Sequence, residues 1–170
     1  RGPLFVSVES GSGRLLVLCE KSGTLARLEP ESGRIVDEVA LGGSPFALCA
    51  HPDGRRLYAT CRSGQEVLEL DAATLAVLRR LALLGAPTGV EVAEDGGTLY
   101  VALHSRDQVA LIDLAAWREV GRLEAGNGPE MVRRWPHSGR VLVTNLLPDP
   151  GAPDEPCRTQ VTVLDERTRR

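Results

Sequence analysis

Apolar and polar positions alternate in short runs along this chain, and a turn signal breaks the pattern about every ten residues. Residues 46–50 form a short apolar run. His51, Pro52, Asp53 and Gly54 follow with turn chemistry: proline presets φ, aspartate bonds its own backbone, and glycine tolerates positive φ. Residues 56–60 read as a second strand and residues 62–64 as the next turn. Residues 66–70 alternate as a half-buried strand should, residues 71–74 turn again, and residues 76–82 give a fourth strand. A short helix is the competing reading for residues 72–80. Its counterparts at 30–38 and 114–122 lack that character, and Gly33 and Gly121 would weaken a helix there.

The four-strand pattern repeats. Pro3, Pro45, Pro87 and Pro129 are each 42 residues apart. The same step links Glu29, Asp71 and Asp113, and it links Asp53–Gly54 to Asp95–Gly96 and Leu57–Tyr58 to Leu99–Tyr100. Cys19 and Cys61 share that spacing. A period of about 40–45 residues suits a four-stranded propeller blade. Helical solenoids have similar periods, but they need amphipathic helices longer than the turns here allow. The predicted fold class is all-β: a β-propeller arc of four-stranded antiparallel blades. The blades fall at about residues 3–44, 45–86, 87–128 and 129–170, in one partial domain spanning residues 1–170. Asp113 and Asp165 stand 52 residues apart, ten more than the repeat, which places an insertion at about residues 146–159.

One unit carries the pattern most fully: Pro87, Asp95, Gly96, Leu99, Tyr100, Val101, the run Val109 to Asp113, and Gly126. The fourth unit keeps Val143, Thr144 and Asn145; the first lacks both the Asp-Gly turn and the tyrosine. In these residues the chain resembles the YVTN family of β-propeller repeats. The resemblance runs along nearly the whole chain and is specific for fold, because the repeated residues pack blades and shape turns. It implies a ring of about seven blades, so the chain, which begins Arg1–Gly2–Pro3, is expected to be part of a longer protein. It also implies a periplasmic or cell-surface location.

Composition narrows the field without naming a function. Hydrophobic residues make up 42% and charged residues 25% of 170 residues, as in a folded globular chain. A net charge of −3 with 4% aromatics gives no basic, aromatic-lined surface for nucleic acid. No apolar run reaches the ~18 residues of a membrane-spanning helix. The four cysteines, Cys19, Cys49, Cys61 and Cys157, form no Cys-x-x-Cys pair; they suit small buried strand residues, and their disulfide state stays open.

Three places are candidates for chemistry, and in a propeller the loops carry it. Glu20, Arg62 and His104 fall in register where the second strand ends, with Asn145 one position earlier in its unit. Such a polar ring is suited to an anion, a metal or a small substrate; solvated turn residues are the plainer reading. In the insertion, Asp149, Asp154 and Glu155 offer oxygen ligands of the kind Ca²⁺ takes, but their spacing matches no calcium loop, and no metal is assigned. A lid, a partner-docking loop and a tolerated insertion all remain open there. The third place is the glycine-rich run from Gly126 to Glu130. Its backbone N–H groups suit an anion, yet tight turns recur at the same position in other units.

Three functions follow. The first is a non-catalytic binding or scaffold propeller of the cell envelope that presents loops to a protein or a small-molecule ligand, with no cofactor in this segment. The second is the propeller domain of a redox enzyme, since YVTN-like propellers resemble quinone-dependent amine dehydrogenase heavy chains and the haem d1 domain of nitrite reductases. Some are joined to a c-type cytochrome, so a cytochrome domain or partner is implied. The third is a lactonase-like hydrolase, for which Glu20 and His104 are the available acid and imidazole.

Overall fold

The structure, a computed structural model, describes residues 2–9, 11–147, 160–166 and 168. These residues form fifteen strands, and none of them lies in a helix. They divide into two compact units, Arg1–Leu83 and Leu84–Arg170.

The first unit holds two four-stranded sheets. One is β1 (Pro3–Val8), β2 (Leu15–Cys19), β3 (Thr24–Leu28) and β4 (Ile35–Ala40); the other is β5 (Pro45–Ala50), β6 (Arg56–Cys61), β7 (Glu66–Asp71) and β8 (Val77–Ala82). Each is an antiparallel meander in chain order. Strands β1 and β2 pack against β5. Leu16, Leu18, Leu25, Leu48, Leu57 and Leu68 belong to the buried core between the sheets. No helix forms at residues 72–80; a turn leads there into β8.

The turn before β8 explains the recurring aspartate. Asp71 Oδ1 accepts from the backbone N–H groups of Ala73 and Thr74 at 3.0 and 2.9 Å. Asp113 Oδ1 does the same for Ala116 N at 2.8 Å. A side chain that mimics the backbone closes the turn locally.

A buried arginine joins the two sheets of this unit. Arg27, 4% exposed in β3, bonds Glu9 at 2.7 Å and Asp37 at 2.7 Å. The same guanidinium donates to the carbonyls of Ala72 and Ala73 in the second sheet, at 2.5 and 2.9 Å. All its donors therefore find acceptors, which a buried guanidinium requires.

The second unit repeats the plan. Its first sheet is β9 (Pro87–Val92), β10 (Thr98–Leu103), β11 (Gln108–Asp113) and β12 (Arg118–Glu124), and its second is β13 (Pro129–Trp135), β14 (Arg140–Asn145) and β15 (Val161–Asp165). Strand β13 packs against β9 and β10. The approach is close at Gly89, where a Cβ would lie 2.5 Å from Val132 N and 2.7 Å from Glu130 O. Thr88 Oγ1 donates to Pro129 O at 2.9 Å across the same seam. Val132, Val141, Val143, Leu111 and Tyr100 are buried in the core of this unit.

Candidate functional site

Three of the four predicted axial positions share one backbone bond, and in the fourth unit Leu146 makes it while the predicted Asn145 donates its N–H to Gln160 O at 3.1 Å. The N–H groups of Glu20, Arg62, His104 and Leu146 donate to the carbonyls of Gly2, Ser44, Ala86 and Gly128 at 3.1, 2.9, 3.2 and 2.8 Å. Those acceptors are the residues that precede each repeat proline, and all four have positive φ, between 53° and 67°. The register seen in the sequence is therefore a turn geometry. What occupies it differs from unit to unit.

Within the first unit, Glu20 is exposed at the end of β2. Arg62 is half-buried, with its guanidinium carbon 5.6 Å from the Phe46 ring centroid. That contact is a cation–π interaction, weak at a partly exposed site.

The second unit brings its candidates together. His104 Nδ1 lies 3.1 Å from Glu130 Oε2, and both atoms are shielded from solvent. The pair joins the end of β10 to the start of β13. Gly128 holds the imidazole in place: a Cβ there would stand 3.1 Å from His104 Cε1 and 2.9 Å from Leu147 Cγ. The backbone N–H of Gly128 donates to Asp107 Oδ1 at 2.8 Å. Asn145, buried at the end of β14, donates from Nδ2 to Thr162 Oγ1 at 3.0 Å and to Gln160 O at 3.3 Å. Gly126 lies against the same amide, since a Cβ there would fall 2.6 Å from Asn145 Nδ2. The loop from Gly126 to Gly128 thus packs on Asn145 at one end and on His104 at the other.

The sequence reading held Glu130 only as the end of the glycine-rich run and missed it as the partner of His104. The carboxylate against His104 is that of Glu130. A signal was present: the same register holds Leu4, Phe46 and Thr88 in the other repeats, so a carboxylate there is out of pattern. The insertion candidates Asp149, Asp154 and Glu155, and Cys157, lie outside the described residues.

Two cavities lie elsewhere. A cleft of about 340 Å³ in the first unit is lined by Ser7, Glu9, Arg14, Arg27, Leu48 and Cys49. Its deepest cation, Arg27, is already fully bonded. A second, of about 410 Å³, is lined by Glu94, Asp95, His137, Gly139 and Glu166. Burial pushes the Glu166 carboxyl above its usual range, and the neighbouring Asp95 and Glu94 add to this. Among the described residues, no group of three or more His, Cys, Asp or Glu side chains is arranged to hold a metal ion. Cys61 is buried in β6, and burial pushes its thiol up to about 12, so it is a packing residue and not a nucleophile at neutral pH.

No family model matches the chain, and no curated protein matches it. Solved structures do. Hydrazine synthase of Kuenenia stuttgartiensis aligns at a TM-score of 0.85 and 20% identity, over 98% of this chain and 47% of that one. A putative 6-phosphogluconolactonase of Bacteroides fragilis aligns at 0.76 and 16% identity, over 98% and 52%. Virginiamycin B lyase of Staphylococcus aureus aligns at 0.68 and 13% identity, over 96% and 55%. The chain spans about half the length of the solved structures it matches. These neighbours are β-propeller-like, and at such identities the likeness shows one thing: the fold is an all-β, propeller-type succession of antiparallel blades.

Proposed function

We propose that this chain is a stretch of a YVTN-type binding propeller, whose blade seams and loops present polar groups to a protein or small-molecule ligand. The observation that supports the reading is the cluster of His104, Glu130 and Asn145 at one seam, buttressed by Gly126 and Gly128. Polar atoms held in fixed places on rigid strands favour recognition, because the ordering cost is met on folding and not on binding. The cell envelope, in the periplasm or at the cell surface, is the proposed location, and it rests on the resemblance of the repeat. No cofactor is needed for this reading.

A second reading is hydrolytic. A lactonase-like site would use His104 as base and Glu130 to orient it, and the fold likeness to a putative 6-phosphogluconolactonase accords with this. The fold likeness to hydrazine synthase accords equally with a propeller attached to redox chemistry, a c-type cytochrome, quinone or haem d1 centre lying elsewhere in such a protein.

One experiment separates them. The purified protein is assayed with 6-phosphogluconolactone, its visible spectrum is recorded, and small polar probes are titrated by two-dimensional NMR. The binding reading expects no turnover, no visible band, and saturable shifts at His104, Glu130 and Asn145. Turnover that His104→Ala abolishes would replace it with the hydrolytic reading.

A further inference from the structure

We propose that the cleft of the first unit binds a small aromatic carboxylate, with its ring beside Leu16 and its carboxylate on Arg14. The cleft has a volume of about 340 Å³ and opens to solvent. That volume falls in the range of small-molecule sites. Leu16 of β2, Leu48 of β5 and Leu57 of β6 line it, and all three are buried. None of its residues belongs to the His104 and Glu130 contact, so the site stands apart from the reading above.

The repeat explains why this place is unfilled. Leu16 occupies the register of Tyr58 and Tyr100, and both tyrosines are buried. Tyr100 shares a core with Val132 and Val141, which are the repeat counterparts of Leu48 and Leu57. Where the second unit packs a phenol ring among these positions, the first unit has the shorter leucine. Close-packed interiors hold few voids larger than a water molecule, so a missing ring leaves room that a guest ring can take.

The pairing of β2 with β3 runs without a bulge from Leu15 opposite Leu28 to Cys19 opposite Thr24. Alternation therefore puts Arg14, one residue before β2, on the same face as Leu16 and Leu18. Leu16 and Leu18 are buried in the core on that face, and Arg14 lines the cleft there. Glu29 holds Arg14 through Nε at 3.0 Å, and the two terminal nitrogens bond no described residue. The nearby carboxylates are engaged: Glu9 by Arg27 and Ser12, Asp37 by Arg27, and Glu29 by Arg14. What remains open is a planar pair of donors, which a carboxylate matches with both oxygens. Arg27 stands opposite Leu16 on β3. Its in-plane donors are all bonded, so it has only the faces of its guanidinium to offer a guest, and rings stack on such faces.

The test is calorimetric titration of the purified protein with 4-hydroxyphenylacetate, with tyramine (the same ring on an ammonium) and with hexanoate (a carboxylate without a ring). Saturable binding is expected with 4-hydroxyphenylacetate, and binding weaker by about tenfold or more with the other two. Leu16→Tyr restores the residue of the other units, so it should abolish binding while keeping or raising the urea midpoint. Arg14→Gln should weaken binding by about tenfold or more, the loss of a charge-assisted contact. Arg14 is partly exposed, so this variant keeps the fold and decides the matter if Leu16→Tyr is destabilised. Binding that Arg14→Gln and a folded Leu16→Tyr leave unchanged, or no saturable binding at all, overturns the site. Tyramine or hexanoate binding as tightly as the aromatic acid overturns the ligand class. Either result leaves the His104 reading standing, and lactone turnover dependent on His104 would remove that reading while leaving this site untouched.

Discussion

At the scale of single residues, the repeat is a repeat of backbone conformation before it is one of side chains. The position before each repeat proline is left-handed: Gly2, Ser44, Ala86 and Gly128 have φ of 67°, 53°, 55° and 62°. For an L-residue this conformation costs about 1–2 kcal/mol, while glycine gives up about 0.4–1 kcal/mol through its freer unfolded chain. Ala86→Gly should therefore stabilise the protein by about 0.5 kcal/mol, read as a higher urea midpoint at unchanged slope. A shift to lower urea would refute the strain argument. Arg27 presents the opposite case. Arg27→Met keeps the length of the stem but leaves Glu9 and the Ala72 and Ala73 carbonyls without their donor. Removing one side of a buried ion pair costs about 3–5 kcal/mol, so this variant should unfold at clearly lower urea. The prolines and aspartates of these turns could be read from sequence because their effect is local. Arg27 could not, because its acceptors lie 10 to 46 residues away.

At the scale of strands, faces decide which groups are buried. Glu91 on β9 sits mostly out of solvent, and burial raises its carboxyl above the usual 4.5, against the pull of Arg133 and Arg134. Between 4.5 and the raised value, the folded protein holds a proton that the unfolded chain releases. This group's stabilising contribution is therefore complete below 4.5 and is lost as pH rises through the raised value. Glu91→Gln should be more stable than the parent at pH 7, with the difference fading as pH falls from the raised value to 4.5. Urea melts at several pH values check this, and a constant difference would exclude Glu91 as its cause. The predicted strands at residues 46–50, 56–60, 66–70 and 76–82 correspond to β5 to β8 within a residue or so at each end. The alternation that revealed them says which positions face the same way. It does not say that Glu130 would meet His104, since that contact depends on how one blade seats on the next.

At the scale of the whole molecule, the outstanding feature is an apolar sheet face left open. Val6 and Val8 on β1 are 61% and 65% exposed. The repeat counterparts of Val6 at Leu48 and Val132 are 3% and 0% exposed. In its own unit Val161 on β15, at 53%, is open in the same way. Faces of this kind associate. The 170-residue chain should therefore self-associate with concentration in analytical ultracentrifugation, and it should bind a hydrophobic dye. Val6→Thr combined with Val8→Thr should reduce both while changing stability by no more than about 0.5 kcal/mol, as surface substitutions do. Association that persists in the double variant would show that another surface drives it. The sequence by itself determined the all-β class, the 42-residue blade, the turn chemistry and the order of strands within each sheet, because all of these follow from short-range periodicity and local backbone preference. Only the tertiary structure decided that Glu20, Arg62 and His104 share a backbone bond, that Arg27 joins two sheets, and that Glu130 meets His104. Those pairings join residues that are distant in sequence, and they depend on where packing places a side chain, which no local pattern encodes.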